Sequence, residues 1–121
     1  MAASASRPSR SVANARLPGG PPFDRVFQSG ASAANNLLVI RFISNELDIT
    51  RWGFAVSRRM APAVLRNRTR RRLRAAAALL RGPASMDIVV VARKPALTAL
   101  PSDLVASLSR LLERAAARAR P

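Results

Sequence analysis

The sequence of 121 residues predicts a single domain of the α+β class, a two-layer sandwich in which helices pack against a mixed β-sheet. Three observations predict this fold. Residues 51–92 have the pattern strand–helix–strand, which joins two strands through a helix. Another strand pattern precedes this segment, and helical patterns stand before and after the strands. Apolar residues make up 49% of the chain, which is enough for a packed core.

The first twenty residues predict a flexible basic arm rather than part of the fold. Residues 1–20 are small, polar or basic, and no acidic residue occurs before Asp24. An organellar transit peptide is the less favoured alternative, since such peptides are also basic and contain Ser. The folded domain is therefore expected to span residues 21–118.

A short helix is predicted at the start of this domain. Two consecutive prolines at its beginning and Gly30 at its end are typical helix limits. Phe23, Val26 and Phe27 lie at positions i, i+3 and i+4, on one face of the helix. This spacing alone favours a stripe of core residues.

Two strands are predicted after this helix. In residues 35–44, apolar residues alternate with a second set that includes Val39 and Arg41, so one face of the strand meets a polar environment. Residues 51–59 predict the next strand, with bulky side chains on one face and small residues, including Gly53, on the other. A smooth face of this kind can accept a closely approaching ligand or helix.

A long helix rich in Ala, Leu and Arg is predicted over residues 61–81, and Gly82 and Pro83 end it. Its apolar side chains share an arc of about 80°. They are Leu65, Thr69, Leu73, Ala76 and Leu80. The continuous apolar run at 86–94 predicts a strand that is buried on both faces. Residues 100–121 predict a last amphipathic helix.

The positive charge of the chain is extreme for its size. The formal net charge is +15, and all but one of the 21 basic residues are Arg. Such a field attracts polyanions, and Arg grips phosphate through a planar pair of donors. A high-GC coding sequence also explains the preference for Arg over Lys, but it does not explain the net charge. The chain has neither Cys nor His, which excludes disulfides, thiolate metal sites and histidine acid–base chemistry.

Six arginines within residues 66–75 predict a nucleic-acid partner. They lie on the predicted helix outside its apolar arc, and Asp87 is the only acid between Asp48 and Asp103. Folding does not require like charges that repel one another and have no acids to balance them. A phosphate backbone would supply the missing negative charge. An anionic membrane is less favoured, because the apolar arc contains no Trp or Phe.

The stretch GFAVSRRMAPAVLRNRTRRRLRAAA, residues 53–77, resembles the signature of the protein subunit of bacterial ribonuclease P. In that family a strand ends in Gly-aromatic-x-Val-Ser and two basic residues. Ala-Val-x-Arg-Asn-Arg and further basic residues then follow along a helix. The segments FDRVFQSG and DIVVVARKPA are similar to the family's first helix and last strand, so that the resemblance covers residues 16–115.

Two segments depart from the family pattern. Ala61 and Pro62 stand where the family usually has Gly followed by Lys or Asn, which removes a flexible joint and a polar contact at the helix start. The segment LPGGPP before Phe23 replaces residues that are often basic and polar in the family. Basic contacts from that segment are therefore not expected in this chain.

The resemblance implies four strands, three helices and a left-handed strand–helix–strand crossover, against the usual preference. It also implies the protein subunit of a ribonucleoprotein that removes the 5′ leader of precursor transfer RNA. The catalyst of that enzyme is RNA, which requires Mg²⁺, and the isolated protein is expected to be inactive. The expected partners are the catalytic RNA, bound by one protein, and precursor transfer RNA. We expect no cofactor on the protein, no membrane association and a cytoplasmic location.

Two RNA-binding surfaces follow from the resemblance, and neither contains a catalytic residue. The surface for the catalytic RNA and transfer RNA would consist of Arg58, Arg59, Arg66, Asn67, Arg68, Arg71, Arg72 and Arg74. A cleft between the first helix and the sheet would bind the unpaired leader and would be lined by Phe23, Phe27, Val39 and Arg41. Asn67 has two interpretations, because its amide can bind RNA or the backbone of a neighbouring strand.

Three other functions are compatible with parts of the sequence. A general structured-RNA-binding or ribosome-associated chaperone module would share the charge but would not need the aromatic cleft. A protein nuclease is disfavoured, because the chain has no His and only six acids. A basic scaffold for an acidic protein would bind polyglutamate as well as RNA.

Overall fold

The computed structural model describes residues 14–80 and 82–119, which form three α-helices and a five-stranded mixed sheet. In chain order the elements are β1 (Asn14–Arg16), α1 (Pro21–Ser29), β2 (Ala31–Ala34), β3 (Leu38–Ser44), β4 (Thr50–Ala55), α2 (Ala63–Ala78), β5 (Met86–Ala92) and α3 (Pro101–Ala119). A 3-10 turn, Lys94–Leu97, precedes α3. The predicted α+β class is confirmed, although the sheet has five strands where four were expected.

The strands are ordered β1-β4-β5-β3-β2 across the sheet. β1, β4 and β5 run parallel to one another, whereas β3 pairs antiparallel with both β5 and β2. β4 and β5 are therefore the parallel neighbours that α2 connects, as the strand–helix–strand pattern predicts. That this crossover connection is left-handed stays a prediction.

The domain begins earlier than the predicted boundary at residue 21. β1 pairs with β4 in parallel register, from Asn14 beside Thr50 to Arg16 beside Trp52. Leu17 follows at 4% exposure and packs in the core. The predicted flexible arm is therefore wrong for residues 14–20, because a strand of three residues is too short to show an alternating pattern. The rest of that prediction, residues 1–13, lies outside the described residues.

β2 is the second strand that the sequence pattern does not predict. It consists of Ala and Ser, which have low strand propensity, and it lies at the edge of the sheet beside β3. Arg114 and Arg118 of α3 donate hydrogen bonds to the carbonyl oxygens of Ala34 and Ser32. Side chains rather than a further strand thus cover part of this edge.

The main core lies between the sheet and the helices α2 and α3. Its largest fully buried side chains come from alternate positions of β3 and β5 and from one face of each helix. They include Leu38, Ile40, Ile88, Val90, Leu73, Leu104, Leu108 and Leu111. Most of the predicted apolar arc of α2 is confirmed, with Thr69, Leu73 and Ala76 buried, although the helix spans 63–78 rather than 61–81.

α1 lies against the opposite face of the sheet. Val26 of α1, Leu17 and Val89 of β5 form a second, smaller core cluster. Since Ile88 and Val90 point into the main core, β5 is buried on both faces, as its continuous apolar run predicts. α1 covers only part of its face, and this partial coverage leaves room for a cleft.

A buried ion pair joins β4 to β5 on the α1 face. Nε and Nη2 of Arg51 donate hydrogen bonds to the two carboxylate oxygens of Asp87, at 2.8 and 2.7 Å, and Asn45 donates a third at 2.9 Å. Burial raises the pKa of Asp87, but the hydrogen bonds from Arg51 and Asn45 and the nearby positive charges outweigh it, so the pKa lies below its ordinary value. The hydrogen bond to Asp87 correspondingly raises the pKa of Arg51.

Candidate nucleic-acid interface

The first candidate surface is a cleft between α1 and the sheet, called the α1 cleft below and defined by Phe23, Phe27, Val39 and Arg41. α1 starts after Gly20, whose φ of 80° favours glycine, and two prolines occupy its first positions. The rings of Phe23 and Phe27 are neighbours, with centroids 5.2 Å apart. They form one wall of the α1 cleft.

Gly53 allows this wall to lie close to the sheet. A Cβ atom on Gly53 would lie 3.3 Å from Cε2 of Phe23, which is tighter than ordinary packing. The small residue on β4 therefore accommodates α1, which confirms that the smooth face of this strand accepts a helix. Phe23 is half-buried there, while Phe27, one turn later, is 38% exposed. The core stripe predicted from spacing is thus right for Val26 and wrong for Phe27.

The floor of the α1 cleft is a row of apolar residues across three strands. Val39 of β3, Val91 of β5 and Ala55 of β4 stand side by side in the sheet register, and all three are half-buried. Side chains two residues apart share a face of a strand, so this row lies on the same face as Val89, against which α1 packs. The row therefore extends the apolar surface beyond the edge of α1.

Arg41 connects the floor to the aromatic wall. Its Nη2 donates hydrogen bonds to the carbonyl oxygens of Phe27 at 2.7 Å and Gly30 at 3.4 Å. Its guanidinium carbon lies 5.4 Å from the centroid of the Phe27 ring. Nε of Arg41 is buried and has no hydrogen-bond partner within the described residues. Arg41 thus holds the end of α1, a contact that the sequence pattern did not predict.

The second candidate surface is called the arginine surface, and it comprises Arg58, Arg59, Arg66, Asn67, Arg68, Arg71, Arg72 and Arg74. The first two lie in the loop that leads from β4 to α2, and the rest lie on α2. Across the described ranges 14–80 and 82–119, five of these side chains form no hydrogen bond or ion pair. They are Arg58, Arg59, Arg68, Arg71 and Arg72.

The start of α2 adds to this positive potential. Pro62 stands at its N-cap without a side-chain hydrogen bond, and the first turn contains no acid. Free N–H groups and the positive end of the helix dipole favour an anion at such an end. Arg58 and Arg59 lie in the loop just before this helix end. The positive potential of the two side chains therefore adds to the positive potential of the helix end.

The remaining members of the arginine surface have partners in the protein. Nη1 of Arg66 donates to the carbonyl of Ala61 at 2.9 Å, and the guanidinium carbon of Arg74 lies 5.8 Å from the Phe54 ring centroid. The exposed Asn67 accepts a hydrogen bond from Arg70. In the described part of the chain Asn67 forms no hydrogen bond to a neighbouring strand, so that interpretation finds no support, and the role of Asn67 in RNA binding stays a prediction.

The structure brings the two surfaces close together along the chain. Ala55 ends β4 in the floor of the α1 cleft, and Arg58 follows three residues later in the arginine surface. The end of the apolar floor at β4 is therefore followed directly by the loop arginines.

A cavity of about 780 Å³ lies beside these surfaces and was not predicted. It is bounded by the connection between β1 and α1, by the edge of β4 and by α2. Its charged members are Arg16, Arg70 and Arg74. Arg70 belongs to the basic run in the sequence, but only the paired strand β1 shows that Arg16 faces it.

The fold and these surfaces define a class, a small and highly basic α+β protein with an arginine-rich helix and an open cleft on one face of its sheet. In the part of the chain that the structure describes, no three residues of the types His, Cys, Asp and Glu form a cluster that could hold a metal. No helix of that part is long and apolar enough to cross a bilayer.

Comparison with known proteins identifies the family. The family model for ribonuclease P matches residues 13–116. The ribonuclease P protein component of Pelotomaculum thermopropionicum is 39% identical over 95 residues, which cover 77% of this chain and 85% of that protein.

Solved structures agree with this match. The RNase P protein from Thermotoga maritima superimposes with a TM-score of 0.76 at 30% identity, covering 82% of this chain and 96% of that one. The Staphylococcus aureus RNase P protein gives 0.73 at 32% identity, covering 83% and 94%.

The chain therefore belongs to the ribonuclease P protein family, as the resemblance of residues 53–77 predicts. It is the protein component of a ribonucleoprotein endoribonuclease, and its partner in that assembly is RNA. A general RNA chaperone is not favoured by these matches.

Proposed function

We propose that the arginine surface binds the catalytic RNA of the ribonucleoprotein and that the α1 cleft binds the 5′ leader of precursor transfer RNA. The observation that carries the first assignment is the set of five arginines without partners in the described part of the protein. An unpaired guanidinium gains most from a phosphate oxygen, with which it forms two parallel hydrogen bonds. Release of the counterions that cover RNA adds to the binding free energy.

The leader assignment rests on the combination of an aromatic wall, an apolar floor and one cation. Unpaired bases can stack on exposed aromatic rings whatever their sequence. Phe27 offers such a ring, and the row Val39–Val91–Ala55 offers a flat apolar strip beside it. Arg41 adds positive charge where the leader would pass. A cleft with these properties fits a single strand better than a duplex.

The protein's part in the reaction is to bind and orient RNA and to neutralise phosphates. Mg²⁺ held by the catalytic RNA would supply the hydrolytic chemistry. The six acidic residues of the chain are scattered, and Asp87 is occupied by Arg51 and Asn45. The positive surface of the protein would replace part of the Mg²⁺ that otherwise screens the RNA phosphates.

Cleavage of precursor transfer RNA by separated and recombined components tests this function. We expect RNA-free protein to show no cleavage. Adding the protein to its cognate catalytic RNA should lower the Mg²⁺ concentration for half-maximal cleavage. The protein should also give the catalytic RNA a preference for precursor over mature transfer RNA. Polyarginine added at equal charge should not give that preference. Cleavage by the protein alone at a comparable rate would contradict the assignment of the chemistry to RNA.

A further inference from the structure

The cavity beside α2, called the edge cavity below, lies at the edge of β4 just beyond the point where its neighbour β1 ends. β1 ends at Arg16, and the last main-chain bond on this side runs from the N–H of Leu17 to the carbonyl of Trp52, at 2.8 Å. Within residues 14–80 and 82–119, no strand pairs with the edge of β4 beyond Trp52, at Gly53 and Phe54. Main-chain donors and acceptors therefore face the edge cavity without a ladder partner.

The walls of the edge cavity combine positive charge with apolar surface. Arg16 comes from β1, and Arg70 and Arg74 come from α2, while none of the described residues that line the cavity is acidic. Phe54 and Trp52 stack with their planes 5° apart, and Arg74 lies over the Phe54 ring. The opposite side consists of Pro18, Gly19 and other small groups, which leave the space open.

We propose that the edge cavity is a binding site for a single nucleoside monophosphate unit, with the base inside the cavity and the phosphate on the arginines. A volume of about 780 Å³ lies within the range of about 300–1,000 Å³ that is typical of small-molecule sites. A base needs an apolar or aromatic wall for its face and main-chain groups for its edge, and the phosphate needs cations. All three are present on different walls of the same cavity.

This site goes beyond the two surfaces proposed above. In the proposals above, the arginine surface binds phosphates along a helix and the α1 cleft binds an extended strand. The edge cavity instead binds one nucleotide whose base is not stacked on its neighbours in the RNA. Phe23 and Arg74 border it, but Arg16 and Ala78 belong to it alone. The unit can come from an unpaired nucleotide of RNA or from a free nucleotide, since both have the same chemistry.

Adenosine 5′-monophosphate, adenosine and inorganic phosphate are suitable probes for the full chain. Trp52 is the only tryptophan and lines the edge cavity, so its fluorescence reports occupancy. We expect the monophosphate to bind about tenfold more tightly than phosphate, because the base adds stacking and apolar contacts. Equal affinities for the two would overturn the proposal and leave only attraction between the arginines and an anion.

Two alanines of α2 provide a matched pair of variants. Ala78 and Ala75 are both exposed, but only Ala78 lines the edge cavity. Ala78→Leu should fill part of the cavity and weaken binding of the monophosphate about tenfold, whereas Ala75→Leu should leave it unchanged, since Leu is nearly as good a helix former as Ala. Unchanged binding by a folded Ala78→Leu protein would overturn the proposal.

A second variant tests the phosphate end of the site independently. Arg16→Gln should weaken binding of the monophosphate about fivefold and leave binding of adenosine unchanged, because only the former has a charge for Arg16 to meet. Equal weakening of monophosphate and adenosine binding would overturn the proposed orientation, in which the phosphate lies at Arg16. A five-residue oligoadenylate that displaces the monophosphate assigns the site to an RNA nucleotide, and failure to displace it assigns the site to a free nucleotide.

Discussion

Arg41 illustrates how one side chain can serve both the fold and the site. Its Nη2 bonds to the carbonyl oxygens of Phe27 and Gly30 fix the end of α1, and its positive charge stands in the α1 cleft. Lys could keep the charge but could not reproduce the planar contact with two carbonyls and an aromatic ring. The two roles of Arg41 can therefore be separated by the choice of substitution.

Arg41→Gln should lower the free energy of unfolding by about 1–3 kcal/mol, because the carbonyl oxygens lose a charged donor. Arg41→Lys should be destabilised similarly but should keep more of the affinity for precursor transfer RNA. Chemical denaturation and binding assays measure the two effects. Arg25→Gln is the control, since Arg25 is exposed and its one hydrogen bond to a described residue is a weak bond to the carbonyl oxygen of Ser44, at 3.4 Å. Full stability of Arg41→Lys would contradict the role of Arg41 in fixing α1.

Asp87 makes a pH-dependent contribution to stability. Its side chain is 1% exposed and its pKa is lowered, so the contribution is complete above the ordinary pKa of about 4 and is lost as the pH falls through the lowered value. Asp87→Asn leaves the guanidinium of Arg51 without its counter-charge. The variant should lose about 3 kcal/mol of unfolding free energy at pH 7.

Urea denaturation of both proteins between pH 3 and 7 checks this prediction. The difference between wild type and Asp87→Asn should shrink as the pH falls below about 4, where the carboxyl group of the unfolded chain takes up a proton, and should be lost once the pH passes the lowered pKa of the native carboxylate. Asp48→Asn, a change at an exposed acid, should alter stability little at any pH. A difference that stays constant over the whole range would contradict the lowered pKa.

At the scale of elements, α2 was predictable because sixteen helical residues repeat one apolar face. β5 was predictable because both of its faces are buried and apolar. β1 and β2 were not, because strands of three or four residues carry no periodicity, and the pairing of β1 also depends on β4, which is far away in the sequence. The hydrogen bond from Arg41 to the carbonyl oxygen of Phe27 was not predictable either, because it depends on how α1 packs against β3.

α2 should bind RNA chiefly through phosphates. Arg71→Ala should flatten the slope of log affinity against log salt concentration by about 0.7–0.9 for the phosphate contact that is lost. Arg110→Ala is the control, since Arg110 is an exposed arginine on α3, outside both proposed surfaces. Circular dichroism should show an intact helix in both, because Ala favours helix. Weaker binding with an unchanged slope would contradict a phosphate contact at Arg71.

At the scale of the whole molecule, the net charge of +15 is distributed over surfaces with different tasks. The charges on α2 can bind any RNA, and charge alone does not distinguish a substrate from a product. Discrimination requires a feature that only the precursor can occupy. In this fold that feature is the α1 cleft, since the leader is the part that mature transfer RNA lacks.

The affinity of the reconstituted ribonucleoprotein for precursor and for mature transfer RNA tests this division most directly. Phe27→Leu removes a ring that is 38% exposed, and the control Leu47→Ala changes a side chain that is 40% exposed in the turn after β3, outside the α1 cleft. Stacking of a base on the ring is worth about 1–3 kcal/mol, so Phe27→Leu should weaken precursor binding at least about fivefold.

In the same measurement, Phe27→Leu should leave mature transfer RNA bound as before, and Leu47→Ala should change neither affinity. Thermal melting of each variant verifies that the protein is folded. Equal losses of precursor and mature affinity in a folded Phe27→Leu protein would contradict the assignment of the α1 cleft to the leader.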